Sequence, residues 1–179
     1  METYLAQKAT HRIVDSILEK SPPNILRYKD LQSTFKKSRF VINNRNPYAY
    51  ISSIVHRNSP NRLKDATDRE ITMKRAARSW INHSTTLRGA ASSEGFPLLT
   101  YEEFCRQPAN IFAKFGLSVD PKNIDGDHSV NVKDYQPQPI RNMNEEQISR
   151  LLESDIKIIN QQLAANANLL DFFGYEILN

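Results

Sequence analysis

The sequence predicts an α/β fold built on a short parallel sheet flanked by helices, and three observations predict it. Phe40, Val41 and Ile42 form a short continuous apolar run, as in a parallel strand covered on both faces. That run reaches Arg45 and turns at once into an amphipathic stretch, with Asn46 as a good N-cap and Pro47 suited to the first helical position. Apolar runs and helical patterns alternate on either side, the β-α-β order that implies parallel pairing and a right-handed crossover.

Taken in order, residues 12–19, RIVDSILE, read as a strand, with a short helix as the alternative, and Pro22-Pro23 break it. Asn24 caps a helix over 25–35, whose Ile25, Leu26, Leu31 and Phe35 lie near one face. A strand at 39–44, parallel to 12–19, and a helix at 47–57 complete a β-α-β-α unit. Residues 58–61 are a loop, and 65–88 a long helix with Ile71, Ala76, Trp80, Ile81 and Leu87 as candidate core positions. A small-residue loop from Gly89 to Gly95 leads to a third short strand, Phe96 to Thr100. Helices follow at 101–106 and at 108–115, the second started by Pro108. Residues 118–142 are rich in Pro, Asn and Asp and read as an irregular loop within a single domain spanning 1–179. Asn144 caps a helix running to about residue 165, with Glu145 and Glu146 in its first turn, and a short helix at 166–172 ends at Gly174.

Bulk properties narrow the function classes. Apolar content of 39% and charged content of 25% fit an ordinary globular chain long enough to bury a core. No apolar run approaches membrane-spanning length, and the opening METYLAQKATHR lacks a signal-peptide core, so no membrane partner and a cytoplasmic location are expected. The single cysteine, Cys105, excludes an intramolecular disulfide and reads as a buried structural thiol; no Cys/His cluster has metal-ligand spacing, so no metal is expected. The net charge of +4 suits an anionic ligand. Lys36, Lys37 and Arg39, and Lys74, Arg75 and Arg78, read as solvated faces, since no interleaved aromatics accompany them; no nucleic-acid partner is expected.

Arg45 is the residue that carries chemistry. It ends a predicted strand beside a helix N-terminus, at the sheet edge where open α/β folds bind ligands. A guanidinium there calls for an anionic partner, either a bound ligand or an Asp or Glu of the chain. Ser53, two helical turns beyond Asn46, shares that residue's face.

Arg45-Asn46-Pro47 with Ser53 eight positions after the arginine resembles the 3′-phosphate-binding segment of sulfotransferases that use 3′-phosphoadenosine 5′-phosphosulfate (PAPS). Glu19-Lys20-Ser21-Pro22 is similar to the family's Glu-Lys-Thr/Ser-Pro segment. The stretch from Leu98 through Tyr101, Glu102 and Phe104 to Pro108 and Phe115-Gly116-Leu117 looks like its Tyr-Glu-Asp-Leu segment. The three segments occur in the family's order, and Phe173-Gly174-Tyr175-Glu176 resembles its ending. The resemblance implies an incomplete P-loop-NTPase-like sulfotransferase fold and sulfuryl transfer from PAPS to a hydroxyl or amine of unidentified kind. It implies that Arg45 and Ser53 hold the 3′-phosphate, that Lys20 faces the transferring group, and that Lys133 and His128 lie where a late loop closes over the nucleotide. It also leaves Trp80 open as an adenine-site residue or a core residue.

Two departures shape the expectation. The family's Gly-rich 5′-phosphosulfate loop would lie well before Glu19, where only 18 residues stand, and none of the five glycines (89, 95, 116, 126 and 174) builds such a cradle. Pro22 stands where one branch of the family places a catalytic histidine, so the general base is unassigned; His11 is a remote candidate, and Glu102 and Glu103 read as helix-start residues. The chain is therefore expected to resemble the C-terminal two-thirds of a sulfotransferase. Alone it is expected to be weakly active or inactive, with an open sheet edge suited to a homodimer or partner subunit. The alternative is a non-catalytic nucleotide- or partner-binding remnant.

Overall fold

The computed structural model describes residues 19–57, 65–118 and 140–178. The chain divides into two compact units, Met1–Lys36 and Lys37–Asn179.

In the first unit a 3-10 turn, Pro22–Leu26, precedes helix α1, Tyr28–Thr34. The single helix predicted over 25–35 is split because Arg27 sits at φ −133°, outside helical geometry. Residues 12–18 of the first predicted strand lie outside the described residues.

The second unit is helical: α2 (Pro47–Arg57), α3 (Ala66–Glu94), α4 (Tyr101–Arg106), α5 (Asn110–Lys114), α6 (Asn144–Ile148), α7 (Glu153–Leu163) and α8 (Ala167–Phe173). The predicted α/β fold with a parallel sheet is overturned: the described residues contain no strand, only one isolated parallel bridge, Ile42 to Leu98. The two runs expected as strands 39–44 and 96–100 do meet there, through Ile42 N–H to the Pro97 carbonyl (2.9 Å), Leu99 N–H to the Ile42 carbonyl (2.8 Å) and Tyr101 N–H to the Asn44 carbonyl (2.7 Å). Phe40 stacks on Phe96 at 5.1 Å between ring centres. The ladder is interrupted at Leu99, whose carbonyl would accept the Asn44 N–H in a continuing parallel pair and instead accepts Asn43 Nδ2 at 2.8 Å. With no sheet among the described residues, the open edge expected to recruit a partner has no counterpart there, nor does the P-loop-like sheet.

Helix α3 is the central element, packing against α2, α7 and α8. Asp65 caps its start by accepting the Asp68 N–H at 2.9 Å. It runs six residues past the predicted end, through Gly89 and the alanines at 90 and 91, to Glu94. Gly95, at φ +69°, then closes it with an N–H to the Ala91 carbonyl, a conformation other residues adopt at a cost. Its buried stripe is Met73, Ala76, Ala77, Trp80 and Ser84, whereas Ile71, predicted to be core, is 43% exposed on another face. Facing partners are Tyr48, Ile51 and Val55 from α2, Ile159 and Leu163 from α7, and Leu169, Leu170 and Phe173 from α8. Among the described residues no helix is long and apolar enough to cross a membrane.

The helix predicted from 144 to 165 is broken at 149–152 and restarted by Asp155, whose Oδ2 accepts the Leu152 N–H at 3.0 Å. The same carboxylate takes two hydrogen bonds from Arg69 near the start of α3, at 3.2 and 2.6 Å. Burial alone would raise Asp155, but the bonds from Arg69 and Leu152 and the charges of Arg69 and His56 outweigh it and hold the carboxyl below its usual value.

Such a group contributes stability above its unfolded value of about 3.9 and loses it as pH falls through the lower folded value. Asp155→Asn is therefore expected to cost about 2–3 kcal/mol in urea unfolding at pH 7, below the range for a fully buried pair because the Arg69 side chain is 25% exposed. The gap between variant and wild type should narrow as pH falls below 4. Equal stability at pH 7 would contradict this role.

Candidate functional site

The end of the 39–44 run, the starts of α2, α4 and α6, and the segment after α8 converge on one polar cluster. Its frame is set by the bridge at Ile42 and Leu98: in parallel register, residues four further on, 46 and 102, are neighbours. Glu102 Oε1 accepts the Asn46 backbone N–H at 3.0 Å. The same oxygen accepts Asn144 Nδ2 at 2.5 Å, and Oε2 accepts the Tyr175 hydroxyl at 3.0 Å.

Arg45 lies in this cluster. Its carbonyl accepts the Trp80 indole N–H at 2.8 Å. Its Nε–H donates to Asn144 Oδ1 at 2.8 Å, and its guanidinium carbon lies 4.3 Å from the centre of the Tyr101 ring. Nη2 is buried without a hydrogen-bond partner, and Arg45 forms no ion pair among the described residues. Of the five N–H donors a guanidinium carries, only Nε–H is bonded among the described residues.

Tyr101 is itself fixed. Its hydroxyl donates to the Arg141 carbonyl (3.0 Å) and accepts the Met143 N–H (3.1 Å), clamping the chain that leads into α6. Burial raises the Tyr101 phenol above its ordinary value. Burial, and then the adjacent Glu102 charge, does the same for Tyr175, which keeps its proton to donate to Glu102. Cys105, half-buried, donates to the Arg141 carbonyl at 3.4 Å, and burial raises its thiol, which argues against a nucleophile.

Asn46 caps α2, its Oδ1 accepting the N–H groups of Tyr48 (2.9 Å) and Ala49 (3.3 Å), so the first donors of that helix are already engaged. The Ser53 hydroxyl donates to the Tyr50 carbonyl within α2 at 2.7 Å, leaving only its oxygen lone pairs. Lys20 is exposed in the first unit. Trp80 is a core residue whose indole N–H orients Arg45. Lys133, His128 and His11 lie outside the described residues.

Glu102, Asn144 and Tyr175 were the participants that sequence reasoning assigned other work, as helix-start, cap and chain-ending residues. The signal for Glu102 was partial: runs 39–44 and 96–100 were each expected as strands, but 39–44 was expected to pair with 12–19, and only the bridge between Ile42 and Leu98 puts the residue four past Leu98 beside the N-cap of α2. Nothing comparable marks Asn144. No family model, curated protein or solved structure matches the chain.

Removing the Glu102 side chain strands three donors. Glu102→Ala is expected to cost on the order of 3 kcal/mol in chemical unfolding, and Glu102→Gln, which keeps a carbonyl acceptor, clearly less. Equal stability of the two variants would show that the carboxylate does not organise the cluster.

Proposed function

We propose that the chain binds an adenosine nucleotide through its 3′-phosphate at Arg45, with adenosine 3′,5′-bisphosphate and PAPS as ligands, and that it derives from a PAPS-dependent sulfotransferase. The single observation that carries this reading is the Arg45 guanidinium, stacked on Tyr101 and bonded only through Nε–H, with a buried Nη2 that has no partner. A buried donor without an acceptor is costly, and a phosphate oxygen is the acceptor that a planar guanidinium fork fits best. The order of the Lys20, Arg45 and Tyr101-Glu102 segments supplies the nucleotide class. Ser53 contributes at most a minor contact, since its proton is committed to Tyr50. The acceptor of the implied transfer is a hydroxyl or an amine.

Calorimetric titration with adenosine 3′,5′-bisphosphate tests the assignment. A charge-assisted contact contributes on the order of 1.5–3 kcal/mol, so Arg45→Ala should weaken binding about tenfold or more. Ser53→Ala should weaken it less, and adenosine 5′-monophosphate should bind wild type more weakly than the bisphosphate. Equal affinity of wild type and Arg45→Ala would sink the reading.

Binding is not turnover. Arg45 engages one phosphate, and no second set of donors that would position a reacting sulfate is assembled around it among the described residues. Contacts to a remote phosphate hold ground state and transition state alike and leave the chemical rate unchanged. This 179-residue chain is therefore expected to transfer little or no sulfuryl group from radiolabelled PAPS to a broad acceptor panel. Robust turnover would refute that expectation.

A further inference from the structure

We propose that Asn144 is a positioning residue: its side-chain amide stands between Arg45 and Glu102 and keeps the two from closing into an ion pair, which leaves the guanidinium available to an external anion. One amide faces both charges. Oδ1 accepts the Arg45 Nε–H at 2.8 Å, while Nδ2 donates to Glu102 Oε1 at 2.5 Å. Its orientation is dictated by chemistry, since a guanidinium only donates and an ionised carboxylate only accepts. The spacer is also held rigidly. Asn144 is 7% exposed, its N–H donates to Asn142 Oδ1 at 2.9 Å, and the preceding Met143 N–H donates to the hydroxyl of Tyr101, the ring on which Arg45 stacks. The helix start that supplies the spacer thus also fixes the stacking surface.

An arginine and a glutamate within reach of one another ordinarily pair directly, often through two parallel hydrogen bonds. Here each is bonded to the same amide instead. Without that amide the guanidinium can swing from its partnerless state onto Glu102, and its donors are then consumed within the chain. The collapse follows from the geometry alone. Its consequence for binding rests on the reading of Arg45 as the anion-holding group.

Two measurements separate these. Crystal structures of wild type and Asn144→Ala should show Arg45 in direct ion-pair contact with Glu102 only in the variant, with Asn144→Ser as a milder second variant should the alanine protein fail to fold. In calorimetry, Asn144→Ala should bind adenosine 3′,5′-bisphosphate about tenfold more weakly, and adding Glu102→Gln to it should restore most of the loss. A residue that merely supports the fold would lower urea stability and show no such rescue. An Arg45 that stays away from Glu102 in the variant, or a double variant no better than the single, overturns the proposal. Equal nucleotide binding by wild type and Arg45→Ala instead removes the anion reading, and the crystal structures still decide whether Asn144 is the spacer.

Discussion

A carboxylate drawn partly out of water must have its oxygens occupied, and Glu102 meets that requirement with donors from three distant segments of the chain. The Asn46 N–H, the Asn144 amide and the Tyr175 hydroxyl each terminate on it. Each bond fixes the end of an element: the start of α2, the start of α6 and the chain leaving α8. Because Asn46 gives its backbone N–H to Glu102, its side chain is free to turn inward and cap Tyr48 and Ala49. Trp80 extends the same network to α3 through the Arg45 carbonyl, and its ring packs against Phe173 and Tyr175 at 6.4 and 6.2 Å between centres. The apolar core and the polar cluster therefore share a wall.

Protonation states reinforce this arrangement. Tyr175 can act only as a donor toward Glu102, so its usefulness depends on keeping its proton. Burial, and then the nearby carboxylate charge, raises its phenol above the ordinary value. The charge that needs the hydrogen bond helps to preserve the donor. Tyr101 is likewise kept neutral by burial and can both donate to Arg141 and accept from Met143.

How much of this was legible differs by element, for physical reasons. Helix α2 was readable to the residue, from Pro47 to Arg57, because a capping asparagine followed by proline is a local signal. The bounds of α4 and the stop at Gly174 were also local. The sheet was not legible as it stands. Phe-Val-Ile reads as a buried strand whether a ladder follows or not, and the ladder is interrupted by Asn43, whose bond depends on where the Leu99 carbonyl lies. The break within 144–165 depends on Asp155 reaching back to Leu152 while paired with Arg69, a contact across 86 residues. In the polar cluster, Arg45 was singled out by its junction, but its neighbours were hidden because Glu102 and Asn144 look locally like helix-start residues. Their roles exist only once three chain segments meet.

Two arginines in the second unit show what distinguishes a structural charge from a candidate functional one. Arg69 ends on Asp155 through two nitrogens, in a direct ion pair that joins α3 to α7. Arg45 is held as carefully, by a ring, an amide and an indole-bound carbonyl, yet its hydrogen-bonding capacity is left mostly unused, although a carboxylate sits across one amide from it. A fold selected only for stability has an easy way to relieve that buried nitrogen, which is to let Arg45 and Glu102 meet. Local conflicts that persist beside an available remedy tend to fall at functional positions, where the surrounding structure holds a group in readiness at some cost to stability. The interposed Asn144 amide is what maintains the conflict here, so the case for a ligand at Arg45 rests on the arrangement that withholds its natural internal partner.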